Sequence, residues 1–350
     1  MKKKLFVARY YILIFFMSLL TACSVGDSVR VVQMSKTASK SLLLASDSLP
    51  CIAVNPADIM VLDSLLLVRD GEQLVICNTD TRESRTLFGR GRGPGEMLGF
   101  YDFSYDAASR ELAMLDVSSQ SILSACIDSL LSDDYLSGSV RRSQLLDVPM
   151  LFGICFAGDS LLGVGMFQDC RVASLAGDAG LGYEPYARYA PNVGDRESYP
   201  DNILNQAYQV RMDYEASQRT LVLACHYADQ LEFIRDGEVT LVRGPEGVLP
   251  MFSVVDAGGF EVLAHDRNER KGFIDLCACR DGVYVLFSGR TVADENSSFG
   301  NEVWLVSWDA ALESVYRLDR DVIAIDVASD GKLYAVAADA GIYVYQLPGA

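Results

Sequence analysis

The chain has 350 residues, half of them apolar, and a formal charge of −17. That much apolar surface can bury a large core, which excludes wholesale disorder. The acidity would repel a phosphate backbone, which excludes nucleic acid as a natural partner, and it disfavours direct adhesion to anionic lipid.

Lys2, Lys3 and Lys4 open the chain, an apolar run follows from Tyr10 to Leu20, and Leu20-Thr21-Ala22-Cys23 closes the segment. A charged start, a short apolar stretch and a small-residue exit predict a signal peptide over residues 1–22. The run is short for a bilayer span, which takes about 20 apolar residues. The L-x-A-C ending resembles the bacterial lipobox, which implies an acylated Cys23 as the first mature residue and as the link to the membrane. Residues 23–40 are then a tether and residues 41–350 one domain. The leader carries four cations, Lys2, Lys3, Lys4 and Arg9, and no acid, so the charge from Cys23 onward is −21. Acyl chains must do the membrane work, and stable attachment takes more than one. Ser24-Val25-Gly26-Asp27-Ser28 lacks the dense acidic run associated with surface export in related bacteria. An outer-membrane lipoprotein on the periplasmic side is expected.

After Cys23 come Cys51, Cys77, Cys126, Cys155, Cys170, Cys225, Cys277 and Cys279, scattered singly through apolar runs. No C-x-x-C pair occurs, which argues against zinc and thioredoxin-type redox chemistry. Most read as small buried hydrophobes, with one or two disulfides left open. Cys277 and Cys279 would share one face of a strand.

Short apolar stretches bounded by Gly, Asp and Asn turns fill the rest. A lone strand comes first, Ser41–Ala45. Six groups of three or four strands then begin near residues 59, 101, 152, 208, 273 and 322. The last group has three strands, at 322–329, 333–337 and 342–347, with Asp330-Gly331 as a hairpin turn between the first two. A loose repeat of four strands predicts the blades of an all-β, six-bladed β-propeller. Pairing the N-terminal strand with the three-stranded last blade closes the ring and removes two open edges.

Leu87-Phe-Gly-Arg-Gly-Arg-Gly-Pro-Gly-Glu96 resembles the G-x-G-x-G-P-G-E motif of six-bladed, TolB-like propeller lipoproteins of Bacteroidetes. Ser198-Tyr199-Pro200 followed by Ala207-Tyr208, and the stretch from Cys225 to Ile234, are similar to that family too. The resemblance covers nearly all of residues 45–347. It implies the fold and an envelope location, and brings little chemistry.

Three candidate sites stand out. Gly89–Glu96 is either a tight turn between blades or an anion-facing loop carrying Arg90, Arg92 and Glu96; it lacks the Gly-Lys-Ser/Thr ending of a phosphate loop. Residues 177–202 form the longest break between strands, where Tyr183, Tyr186, Tyr189 and Tyr199 mingle with Pro185, Pro191 and Pro200. Tyrosine gives broad amphipathic contact, so this is the candidate surface for a protein or glycan partner, unless the rings merely pin the loop to the rim. Asp63, Asp102, Asp275 and Asp326 lie on or beside first strands, where they could line a channel and hold calcium.

His226 and His265 are the chain's two histidines, with Asp229 three residues beyond the first and Asp266 next to the second. G-x-S-x-G and H-E-x-x-H are both missing, so serine-hydrolase and zincin chemistry lack their usual signs. The leading expectation is a lipid-anchored, non-catalytic binding or scaffold propeller with no cofactor. The alternative is a calcium-dependent, lactonase-like hydrolase working in the channel.

Overall fold

The computed structural model describes residues 29–51, 53–132, 137–177, 180–189, 199–256, 258–259 and 261–348. The expected signal peptide, Cys23 and Pro191 lie outside them. Strands β1 (Arg30–Gln33), β2 (Ser35–Leu44) and β3 (Asp47–Leu49) come first. Blade 1 is β4 (Pro56–Leu62), β5 (Leu65–Asp70), β6 (Gln73–Asn78) and β7 (Ser84–Leu87). Blade 2 is β8 (Phe100–Asp106), β9 (Glu111–Asp116), β10 (Ser121–Cys126) and β11 (Arg141–Gln144), with the short helix α1 (Ile127–Leu131) between the last two.

Blade 3 is β12 (Leu151–Ala157), β13 (Ser160–Gly165), β14 (Val172–Ala176) and β15 (Gly182–Ala187). Helix α2 (Asp201–Ala207) leads into blade 4, formed by β16 (Val210–Glu215), β17 (Thr220–Cys225), β18 (Gln230–Arg235) and β19 (Glu238–Arg243). A separate hairpin of β20 (Phe252–Asp256) and β21 (Glu261–His265) follows. Blade 5 is β22 (Phe273–Cys279), β23 (Gly282–Phe287), β24 (Gly300–Val306) and the first part of β25 (Ala311–Val327). The second part of β25 turns inward to open blade 6, which continues with β26 (Lys332–Ala337) and β27 (Ile342–Gln346). Among the described residues no helix is long and apolar enough to cross a membrane.

The ring closes through β3, whose Leu49, Ser48 and Asp47 pair antiparallel with Ile342, Tyr343 and Val344. The fold class expected from the sequence is therefore observed, but the closing strand lies a few residues later than Ser41–Ala45. Residues 41–44 instead run parallel to Val315-Tyr316-Arg317-Leu318 on the outer edge of blade 5. β1, inside the expected tether, runs parallel to Thr240–Arg243 on the edge of blade 4. Residues 30–49 are thus a strap across the outer edges of three successive blades. Asp47 and Ser48 are polar and exposed, so pattern reading passes over them; backbone pairing and Leu49 hold the closure.

The core is divided into six layers, one between each pair of neighbouring blades. On β17, Leu221 and Leu223 face blade 3 while Val222 and Ala224 face blade 5. Both faces of a middle strand are covered, which is why it reads as a continuous apolar run instead of alternating. Three buried side chains of the strap fill seams: Met34, just after β1, between blades 4 and 5, Leu44 of β2 between blades 5 and 6, and Leu49 of β3 between blades 6 and 1. Cys77, Cys126, Cys155, Cys170, Cys225, Cys277 and Cys279 are free thiols, and of these Cys77, Cys155, Cys170, Cys225 and Cys277 are buried. Replacing Leu49 by Ala opens the last of those seams and should cost roughly 2–5 kcal/mol in urea unfolding. Leu43→Ala, at an exposed neighbouring site, should stay within about 0.5 kcal/mol.

Candidate functional site

The innermost strands of the six blades surround a channel whose cavity measures 90 Å³. In five of them the ladder slips by one residue near the start: at Pro56/Asp58, Phe100/Asp102, Leu151/Gly153, Phe273/Asp275 and Val322/Ala324. A bulge of this kind re-aims the side chain that follows it. Three of those residues are aspartates, Asp58, Asp102 and Asp275, and all three line the channel. Blade 4 keeps a regular register at Val210–Arg211, and it supplies the channel's cation. Arg211 Nη1 lies 3.4 Å from Asp58 Oδ2 and 3.4 Å from Asp102 Oδ1. Asp213 and Asp326 complete the lining carboxylates.

Channel side chains stitch one inner strand to the next at four of the six junctions. Asp102 Oδ2 accepts the Ile154 N–H at 2.8 Å, and Ser104 Oγ accepts that of Phe156 at 2.8 Å, joining blades 2 and 3. Asp213 accepts from Ala278 at 2.8 Å, Asp275 from Ile325 at 2.7 Å and Asp326 from Val61 at 2.6 Å. Between blades 1 and 2 the link is made by Glu72, which accepts the Phe100 N–H at 2.6 Å, and by Arg69, which donates to the Ala57 and Phe100 carbonyls. Between blades 3 and 4, where Gly153 offers no side chain to the channel, Arg171 and Glu232 form a buried ion pair at 3.0 Å.

Burial raises Asp213 to about 7 and Asp102 and Asp326 to about 6, and it carries Asp275 well above the carboxylate range. Arg211 and the backbone donors oppose the rise at Asp102. The hydrogen bond to Cys279, whose Sγ is 3.3 Å away, and then burial push the Cys277 thiol up; Cys277 Sγ also donates to Asp326 Oδ1 at 2.8 Å.

The expected calcium set does not assemble. Asp102, Asp275 and Asp326 line the channel, but each is committed to a backbone N–H of the next blade. Asp63 is exposed in the β4–β5 turn at φ 51°, away from the channel. Among the described residues no group of three His, Cys, Asp or Glu side chains is arranged to hold a metal ion. Asp58, Arg211 and Asp213 were missed in the sequence. A Φ-x-Asp pattern opening the first strands (Pro56-Ala57-Asp58, Phe100-Tyr101-Asp102, Phe273-Ile274-Asp275) was the available signal.

Gly89–Met97 is a turn closed on itself. Met97 N–H bonds the Gly89 carbonyl at 2.9 Å, Gly91 N–H bonds the Met97 carbonyl at 3.0 Å, and Glu96 Oε2 accepts the Gly93 N–H at 2.7 Å. A side chain at Gly91 would collide with the Glu96 carboxylate, which explains that glycine. Arg142 donates to the Glu96 carbonyl, and Arg90 and Arg92 are exposed.

The stretch expected as a long break, residues 177–202, holds β15 and the first two residues of α2, and its tyrosines do not form one surface. Tyr189 is core: its hydroxyl accepts from Arg171 at 2.8 Å and donates to Asn205 at 2.7 Å. Tyr183 packs on Phe167 and Tyr199 on Phe252, leaving Tyr186 as the exposed one.

His265 pairs with Glu269, Nδ1 to Oε2 at 2.6 Å, and not with the adjacent Asp266. Asp229, near His226, instead gathers the N–H groups of Glu246, Gly247 and Val248.

A family model described as TolB-like 6-blade propeller-like matches residues 35–330. The chain belongs to this TolB-like family. A protein of Bacteroides fragilis NCTC 9343 thought to be exported superposes at TM-score 0.52 with 11% identity, over 91% of this chain and 99% of that one. U3-55K superposes at 0.53 with 12% identity, over 89% and 99%, and the RRP9 WD40 repeats at 0.52 with 12%, over 90% and 99%. At such identities the likeness is one of fold. No curated protein sequence matches this TolB-like chain.

Two outcomes follow from the seams. Asp102, Asp213, Asp275 and Asp326 have folded pKa values above the unfolded value of about 3.9, so their stabilisation is full below that pH and is lost as pH rises through 6–7. His226, held down at about 3 by burial and neighbouring cations, acts in the opposite sense below pH ~6.5, one imidazole against four carboxylates. The melting temperature should therefore rise by several degrees from pH 8 to pH 5, and Asp213→Asn should flatten that slope. Separately, Arg171→Met strands Glu232 and should cost about 3–5 kcal/mol in urea unfolding.

Proposed function

We propose that the chain is a lipid-anchored, non-catalytic module of the cell envelope that binds an envelope protein or glycan through one face of the propeller. That face, here the upper one, carries the connections between blades and the starts of the inner strands. The carrying observation is the distribution of exposed apolar side chains. Val54 precedes blade 1, Leu146 and Met150 join blades 2 and 3, and Leu249 and Met251 join blades 4 and 5. These five are 47–83% exposed, and Tyr101 stands beside them on the same face. Apolar groups clustered on one surface suit a partner. The channel carboxylates, by contrast, are committed to holding the blades together. The anchor is Cys23 behind the lipobox-like Leu20-Thr21-Ala22, on the periplasmic side of the outer membrane.

The test is crosslinked capture from native membranes, comparing the natural chain with Leu249→Asp/Met251→Asp. A stoichiometric protein or envelope polysaccharide that is lost from the double variant, with melting temperature unchanged, is the expected result. Equal recovery with both forms would sink the assignment of this face.

A further inference from the structure

At the seam of blades 4 and 5, on the upper face, both histidines of the chain meet around Tyr227. His226 follows β17, and its carbonyl accepts the N–H of Gly272, the residue before β22, at 2.8 Å. The His226 ring lies 5.3 Å from that of Tyr227, and the His265 ring stacks on Tyr227 at 3.9 Å. Lys271 Nζ stands 5.8 Å from the Tyr227 ring centre. None of these side chains belongs to the blade-to-blade stitching.

The one carboxylate of this cluster is already engaged. Glu269 is fully buried and fully used: one oxygen accepts the Met251 N–H at 2.8 Å and the other meets His265 Nδ1 at 2.6 Å. Pairing with a carboxylate makes Nδ1 the donor and turns Nε2 outward. Arg211 is already placed between Asp58 and Asp102. Lys271 is half-buried, and among the described residues the one hydrogen-bond partner of its ammonium is Ser298 Oγ at 3.4 Å. Among the described residues no carboxylate lies within 4.0 Å of its ammonium. Burial depresses Lys271 despite the nearby Glu269, and His226 stays neutral among Lys271, Arg211 and His265. The Lys271 ammonium thus has Glu269 as a nearby counter-charge but makes no ion pair with it, since both oxygens of that carboxylate are held by Met251 and His265.

We propose that Lys271, with His265 and Tyr227 beside it, is the seat for the carboxylate of a small ligand at the mouth between blades 4 and 5. A single ammonium matches a monoanion; a dianionic phosphate would bring a second charge with nothing to meet it. Tyr227, and Tyr101 at the same mouth, offer ring surface to the body of the ligand. This rests on the upper face being the binding face and names the chemistry of one seat within it.

Because both imidazoles belong to the cluster, a chain labelled with 15N only in histidine reports on the site without assignment. Glucuronate, N-acetylglycine and uncharged glucose are titrated in turn. Saturable imidazole shifts with at least one acid and none with glucose are expected. A tighter response to glucuronate identifies a sugar acid, and a tighter response to N-acetylglycine a peptide C-terminus. Lys271→Gln should weaken the response at least tenfold while leaving the melting temperature unchanged. No shift with either acid, or equal shifts with glucose, overturns the proposal without recourse to any variant. So does an unaltered response in Lys271→Gln. The Leu249→Asp/Met251→Asp capture experiment does not involve Lys271, so the two readings fail separately.

Discussion

Inner strands of neighbouring blades splay apart around the channel and cannot complete a common backbone ladder. Their inward N–H groups would be orphaned in a buried place, a cost comparable to a lost hydrogen bond for each. Aspartate solves this locally. Its short side chain reaches the next strand, and a carboxylate accepts from two donors at once, as Asp326 does from Val61 and Val327. The solution concentrates negative charge, and Arg211 together with raised pKa values keeps the concentration tolerable. The bulges, the single regular inner strand and the placement of the channel arginine all follow from that arrangement.

The same device recurs toward the upper face. Asp70 accepts from Val54 and Asn55, Asp116 from Leu98 and Gly99, Asp229 from three successive residues, and Glu269 from Met251. Much of the acidity read from the composition is therefore an internal supply of hydrogen-bond acceptors. The net charge by itself is a poor guide to what the protein meets.

Strand order and blade number were legible because period-2 patterning and Gly/Asp turns are local signals. The channel was legible in part: Asp102 and Asp275 stood out, whereas Asp58 fell outside a strand read as starting at Ile59. Bulges left no trace beyond the Φ-x-Asp pattern, since register is a property of two strands. Tyr189 shows the opposite failure. Its Gly- and Pro-rich neighbourhood reads as surface loop, yet Arg171 and Asn205 draw its hydroxyl into the core, and neither is near it in sequence. The lack of an ion pair at Lys271 was illegible for the same reason, because it depends on where Glu269 spends its oxygens.

The strap also gives the molecule a mechanical order. Tension applied through the N-terminus arrives first at β1 on blade 4, then at β2 on blade 5, and only afterwards at β3. Peeling either of the first two strands leaves every blade with its four strands and the circle intact. The seam that defines the ring is thus shielded by two sacrificial attachments, and a pull on the N-terminal segment can be absorbed before the propeller opens.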